Sequence, residues 1–280
     1  MNEELIEGFD NFVIGNFQEC LSLCRVPHGN DEFANFLWEA LQARCELALD
    51  HMEAIRNMPR TNPALAGTAY FAVYQKSTNE AQKRAAFEKI IENASQGEPV
   101  ACYYSCVARA LGGDFIDAIN YAQTVVSSSP SEFNALRVQF CLAIHRPDLA
   151  SKIVEKDLRK DDSAAAKFVT AMLALITGKS TEAYLSYSDL VAQFGAESSL
   201  ALANGRAVAN IQRGHLAEAV EDLQTVLASN PADADSLVNI ICCSSQMGKR
   251  EEAMKFLGLL QQTHPNHMLV KKLESLRLIF

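Results

Sequence analysis

Along the chain, apolar residues recur at intervals of three and four with polar residues between them, the period of helices that bury one stripe. Two of these stripes are copies of one another. Gly214 to Pro231 reads GHLAEAVEDLQTVLASNP and Gly248 to Pro265 reads GKREEAMKFLGLLQQTHP; the glycine, the alanine five on, the leucine nine on and the closing proline all recur at a spacing of 34. Gly113 to Pro130 repeats the offset, with Ala118 at the position of Ala219 and Ala253. Fainter copies follow at Gly178 with Ala183 and Tyr187, at His145 with Ala150 and Val154, and at Gly15 with Phe17 and Cys20.

A period of 34 is that of tetratricopeptide helix pairs. The chain is therefore expected to be all-α, an α-solenoid of tetratricopeptide-like helix pairs wound as a right-handed superhelix over residues 1–280 as a single domain. The clearest repeats are 99–130, 164–195, 200–231 and 234–265, with 266–280 as a C-terminal capping helix. Between 31 and 95 the phasing is only approximate: a helix from Phe33 to Leu49 holds the lone Trp38, and Ala64 to Tyr74 with Asn79 to Asn93 forms one further pair.

The repeated residue types have packing reasons. The two helices of a pair cross closely, so little more than a β-carbon fits at Ala118, Ala150, Ala183, Ala219 and Ala253. Glycine accepts a positive φ in the turn. Proline loses nothing at the start of the next helix, and Asn230-Pro231 and Ser129-Pro130 read as cap plus first helical residue.

In such an array the first helix of each pair lines the concave face. The groove positions that follow are Tyr103, Val107 and Leu111, then Phe168, Met172 and Leu175, then Asn204, Val208 and Ile211, and finally Val238. The early ones are apolar and suit a helical or folded segment of a partner. The alternative for Phe168, Met172 and Leu175 is that they are core between repeats. Tetratricopeptide domains that grip a chaperone's C-terminal carboxylate use Lys, Arg and Asn at such positions, and this groove has almost none. A cytosolic adaptor for a peptide or helix of a chaperone or other complex is the competing reading.

Composition removes other classes. The formal net charge is −9, with the cations scattered, so the attraction that drives phosphate-backbone binding is missing and nucleic acid is not an expected partner. The longest largely apolar run, Phe168 to Thr177, is too short to cross a bilayer, and no charged start leads into an apolar signal core, which suggests a cytoplasmic protein. Asn93-Ala94-Ser95 then stays unglycosylated. Eight cysteines, among them Cys20 and Cys24, Cys102 and Cys106, Cys141, Cys242 and Cys243, sit in apolar helical runs without a CxxC pair and read as core.

Gly178-Lys179-Ser180 ends like a phosphate loop, but Leu173 stands where that loop needs glycine. His264 and His267 lack further ligands in the sequence, so no metal and no cofactor is expected. The acidic pairs Asp161-Asp162, Glu221-Asp222 and Glu251-Glu252 suit helix ends or solvated faces. With no nucleophile and base in view, the chain reads as a non-catalytic binding surface.

Five segments carry more than a generic repeat: residues 12–20 (FVIGNFQEC), 182–184 (EAY), 202–207 (LANGRA), 235–240 (DSLVNI) and 264–272 (HPNHMLVKK). In their order and placement the chain resembles the epsilon subunit family of coatomer, over essentially its whole length. The resemblance implies a scaffold subunit of the COPI coat. That family binds and stabilises the C-terminal region of the coatomer alpha subunit in Golgi-to-ER retrograde and intra-Golgi transport. It also implies a protein peripheral on Golgi membranes and coated vesicles, held there only through other subunits, since an acidic surface has little attraction for anionic lipid.

Overall fold

The computed structural model describes residues 3–26, 31–60, 62–125, 130–195 and 199–277, and among them all regular structure is helical. The chain separates into two compact units, residues 1–169 and 170–280. The first holds α1 (Glu3–Val13), α2 (Phe17–Cys24), α3 (Glu32–Ala48), the short α4 (Met52–Arg56), α5 (Pro63–Lys76), α6 (Glu80–Ala94), α7 (Pro99–Leu111), α8 (Phe115–Thr124), α9 (Pro130–Ala143) and α10 (Pro147–Ile153). A π-helical turn, Val154–Leu158, continues α10. Helix α11 (Ala164–Ile176) follows, and the second unit goes on with α12 (Ser180–Phe194), α13 (Leu200–Arg213), α14 (Leu216–Ser229), α15 (Ala234–Gln246), α16 (Arg250–Thr263) and α17 (Met268–Arg277).

Helices next in sequence pack on one another in both units, and α5 and α13 also reach the first helices of the following pairs, α7 and α15. This is an α-solenoid, in which each pair stacks on its neighbours. Its core is accordingly a string of small clusters. Leu5, Cys20, Leu21, Trp38, Leu41 and Cys45 form one. Ala101, Cys106, Ala118, Phe133 and Phe140 belong to another, and Ala207, Ala219, Leu223, Ile240 and Cys243 to a third. Ala118, Ala150, Ala183, Ala219 and Ala253 are all buried. At Gly205 the backbone of α13 lies directly against the Tyr187 ring of α12, where an added β-carbon would sit 2.4 Å away.

The turns inside the pairs explain the repeated glycine. Gly113, Gly178, Gly214 and Gly248 have φ between 73° and 94°, and no atom lies within 4 Å of a β-carbon added at any of them. The backbone angle alone therefore selects glycine there. His145 (φ 57°) and Asp50 (φ 60°) hold the same left-handed conformation without being glycine. Asp50 joins α3 to α4, and its side chain hides that turn from a search for glycine.

One expectation about caps is corrected. Pro231 is not the first residue of a helix: α15 starts at Ala234, and its N-cap is Asp233, whose carboxylate accepts from the Ser236 backbone N–H at 2.9 Å. Asn230 instead terminates α14. A carboxylate that accepts from a free N–H of the first turn caps the helix directly, which a proline at that place cannot do. Pro130 does open α9, while Ser129 lies outside the described residues, as do residues 278–280 of the expected capping helix.

Candidate partner-binding faces

In the first unit, α1, α3, α7 and α9, the leading helices of their pairs, converge on Arg44. This guanidinium sits in the stretch Leu41 to Glu46 of α3, where Leu41, Ala43 and Cys45 are buried around it, and its side chain is 1% exposed. One Nη donates to Glu132 of α9. The flat cation lies over the rings of Phe12 (4.3 Å) and Tyr103 (4.5 Å), which come from α1 and α7. Burial opposes its charge, but the adjacent Glu132 more than offsets this and raises the Arg44 pKa, so the guanidinium stays charged. The Arg44 Nε has no hydrogen-bond partner among the described residues.

Nearby, burial raises the pKa of Glu98, whose carboxylate caps α7 by accepting from the Ala101 N–H at 2.7 Å. Burial also raises the Tyr103 hydroxyl.

The same unit curls back on itself. Asp10 of α1 accepts from the Ala164 N–H at 3.1 Å, so the first helix caps the start of α11. Ser163 assists, its Oγ accepting from the Ala166 N–H at 3.3 Å. Asp161 holds this corner by accepting from the Ser163 N–H at 2.9 Å and from the Ser131 hydroxyl. A cavity of 180 Å³ remains inside, lined by Phe12, Phe17, Tyr103, Glu132, Gln139 and Ala165 among others.

The expected groove residues fall into this frame as follows. Tyr103 stands on Arg44 and meets Phe133 edge-on at 6.4 Å. Val107 is half-buried between two core clusters. Leu111 is 58% exposed; it borders a cleft of 790 Å³ with an apolar floor from Tyr74 and Phe87 and a rim of Lys83, Arg84, Arg109, Glu80, Asp114 and Asp117. Phe168 is half-buried.

In the second unit, Met172, Val208 and Ile211 are half-buried, and Ile211 packs against Ala207, Ala219 and Leu223. Leu175 packs against Ala174, Ala183 and Ala209, while its carbonyl accepts from the Gln212 side chain at 3.2 Å. Val238 packs on Leu237, Leu260 and Val270. Asn204 is engaged within the unit: its amide nitrogen donates to Ser236 Oγ at 2.8 Å, and its oxygen accepts from Asn239 at 3.2 Å. Arg206 clamps Asp222 with Nε 3.1 Å from both carboxylate oxygens, tying α13 to α14.

The other candidate chemistry resolves into structure. Gly178-Lys179-Ser180 is the turn between α11 and α12, with Lys179 paired to Glu182 at 3.3 Å. His264 Nε2 donates to the Ala232 carbonyl at 2.6 Å, and His267 Nδ1 accepts from the Leu269 N–H at 3.2 Å. Cys242, expected in the core, is exposed, because α15 turns its neighbour Cys243 inward instead. Residue patterns missed Arg44 and Glu132; the available signal was a lone arginine on the buried stripe of α3.

The family model for the coatomer epsilon subunit matches residues 1–278. Coatomer subunit epsilon-1 of Oryza sativa subsp. japonica is 26% identical over 269 residues, covering 94% of this chain and 91% of that protein. Coatomer subunit epsilon-2 of Oryza sativa subsp. indica is 32% identical over 169 residues, 58% of this chain; that match spans 53%, about half, of the relative's length. Among solved structures, a chain of the APC/C hetero-tetramer Cut9–Hcn1 superposes with a TM-score of 0.70 at 12% identity, over 95% of this chain and 54% of that one. A tetratricopeptide repeat protein from Parabacteroides merdae superposes with a TM-score of 0.59 at 17% identity, over 93% and 98% of the two chains. These two likenesses concern the fold.

Proposed function

Because the chain belongs to the coatomer epsilon subunit family, we propose that it is a non-catalytic scaffold subunit of the COPI coat that binds and stabilises the C-terminal region of the alpha subunit. Its work is then in Golgi-to-ER retrograde and intra-Golgi transport. It is cytosolic and reaches Golgi membranes and vesicles through its partners; no described helix is long and apolar enough to cross a bilayer. The observation that carries this reading is the state of the leading-helix residues. Val107, Phe168, Met172, Leu175, Val208, Ile211 and Val238 are all half-buried apolar side chains, each with surface left to cover. Surfaces of this kind gain from a permanent apolar partner.

The test is co-expression of the chain with the C-terminal region of a coatomer alpha subunit, followed by sizing. A stable complex weakened at least about tenfold by Met172→Asp, with helicity retained, supports the reading. Separate elution of the two chains, or loss of helicity in that variant, defeats the partner or the surface respectively. Micromolar binding of a short acidic C-terminal peptide would favour the adaptor reading instead.

A further inference from the structure

We propose that Cys20 and Cys45 are a dithiol that closes reversibly to a disulfide, fastening α2 to α3 at the amino-terminal end of the array. The two come from different helices, twenty-five residues apart, and the Cys45 Sγ–H donates to Cys20 Sγ at 3.1 Å. Both are fully buried, in a cluster walled by Leu5, Leu21, Trp38 and Leu41. The surrounding cluster is apolar, while Cys24 touches both sulfurs and the charge of the neighbouring Arg44 acts on Cys45. A bond needs an approach of about one further ångström, to roughly 2.05 Å between the sulfurs.

Cys24 lies in the same cluster, one turn along α2 from Cys20. Two residues four apart on one helix hold their β-carbons about 5–6 Å apart, and a disulfide needs about 3.5–4.5 Å. The helix itself therefore rules out pairing Cys20 with Cys24; of the two links left to Cys45, the 3.1 Å contact selects Cys20 over Cys24.

Access explains why the thiols persist in the reduced form. Gly8 sits so close above Trp38 that a β-carbon there would be 2.7 Å from the indole, and α1 covers the cluster at that point. Lifting of the Leu5–Gly8 half of α1 would open the cluster to solvent from that side. The Cys20 contact works in the other direction, but contact with Cys24 and burial push the Cys45 thiol up to about 12, so the reactive thiolate is scarce while the cover is down.

The oxidant is a small disulfide, RSSR. Once exposed, one thiol loses its proton and its thiolate attacks RSSR, forming a mixed disulfide and releasing RS⁻. The second thiolate displaces the other RS⁻, and the Cys20–Cys45 bond forms. The two protons end on two RSH, and the two electrons lost by the protein pass to the cleaved S–S bond.

The experiment uses the full chain carrying Cys242→Ser, which removes the exposed thiol. It is incubated with glutathione disulfide at about pH 8, alkylated, unfolded and mapped by peptide mass. The expected product is a linked pair of peptides containing Cys20 and Cys45, two hydrogens lighter than their sum. It forms equally in Cys24→Ser, is absent in Cys20→Ser and Cys45→Ser, and is reversed by dithiothreitol. Amides of α2 in the oxidised form exchange at least about tenfold more slowly, because the staple suppresses local opening. A link involving Cys24, or full alkylation of Cys20 and Cys45 after exposure to the oxidant, overturns the proposal. So does unchanged exchange in α2.

Discussion

Arg44 and Glu132 stand eighty-eight residues apart in the chain and form a hydrogen-bonded ion pair inside the first unit. Arg44 is 1% exposed and Glu132 13%, so loss of either partner leaves the other as a charge with little water. Glu132→Ala is expected to cost about 3–5 kcal/mol, since the buried guanidinium is then uncompensated. Arg44→Met should cost less, because Glu132 keeps some solvent and a thioether side chain still fills the space between Phe12 and Tyr103. The double variant should cost clearly less than the sum of the two. Urea unfolding of the four proteins checks this, and additive costs would mean that the pair is not coupled.

Asp10 provides a dependence on pH. Burial raises its pKa above the ordinary 3.8, against the pull of the Ala164 N–H and of Lys167, and Asp161 adds to the rise. The folded protein thus holds this proton more tightly than the unfolded chain. The associated stability is fully present below 3.8 and is lost as pH rises through the higher folded pKa. Asp10→Asn keeps an acceptor for Ala164 without the charge. Relative to wild type it should gain stability as pH rises from about 3 to 7. Asp10→Ala should lose about 1 kcal/mol with the hydrogen bond. Thermal midpoints across that range read both effects, and a constant difference between wild type and Asp10→Asn would count against the account.

Two glycines in helices should respond oppositely to alanine. At Gly205 the new methyl would meet the buried Tyr187 ring at 2.4 Å, so Gly205→Ala is expected to destabilise by about 1–3 kcal/mol despite its better helix propensity. At Gly258 nothing lies within 4 Å, and Gly258→Ala should stabilise by about 0.5–1 kcal/mol. Denaturation midpoints of the two variants decide the matter; the same sign for both would show that propensity, not space, governs.

His145 occupies a left-handed turn, with φ 57°, where other pairs carry glycine. His145→Gly should relieve the strain of that angle and stabilise by up to about 1 kcal/mol. Gly214→Ala imposes the same strain and should cost about as much. Reciprocal shifts of the two midpoints are the expected reading, and no shift in either would remove backbone angle as the reason for the repeated glycine.

What could be read from residues alone was what the chain decides locally. The 3.6-residue stripe, the turn glycines and the alanines at the crossings each depend on neighbours within a few positions, and Ala118, Ala183 and Ala219 lie fully buried as that reasoning requires. Asp50 concealed one turn because a side chain can hold a left-handed angle that glycine merely holds more cheaply. The second pair of the 31–95 region was obscured differently: α5 and α6 join through extended Ser77 and the Asn79 cap, with no left-handed glycine. Asn204 was legible only as a groove position, and the placement of Ser236 and Asn239 beside it shows the hydrogen bonds it makes within the unit. The Arg44 site and the Asp10 cap depend on how far successive pairs rotate, a sum over many crossings that no single motif records.

The cap that Asp10 places on Ala164 also sets an order of events. An array whose pairs touch only their neighbours can fold from either end as it is synthesised. Here the first helix lacks one of its partners until 154 residues later, when the start of α11 exists. Contacts of such separation are slow to form because the intervening chain must be ordered first. The amino-terminal unit therefore completes its folding at its junction with α11, and a nascent chain stopped before Ala164 carries a first helix with its Asp10 anchor still unmade.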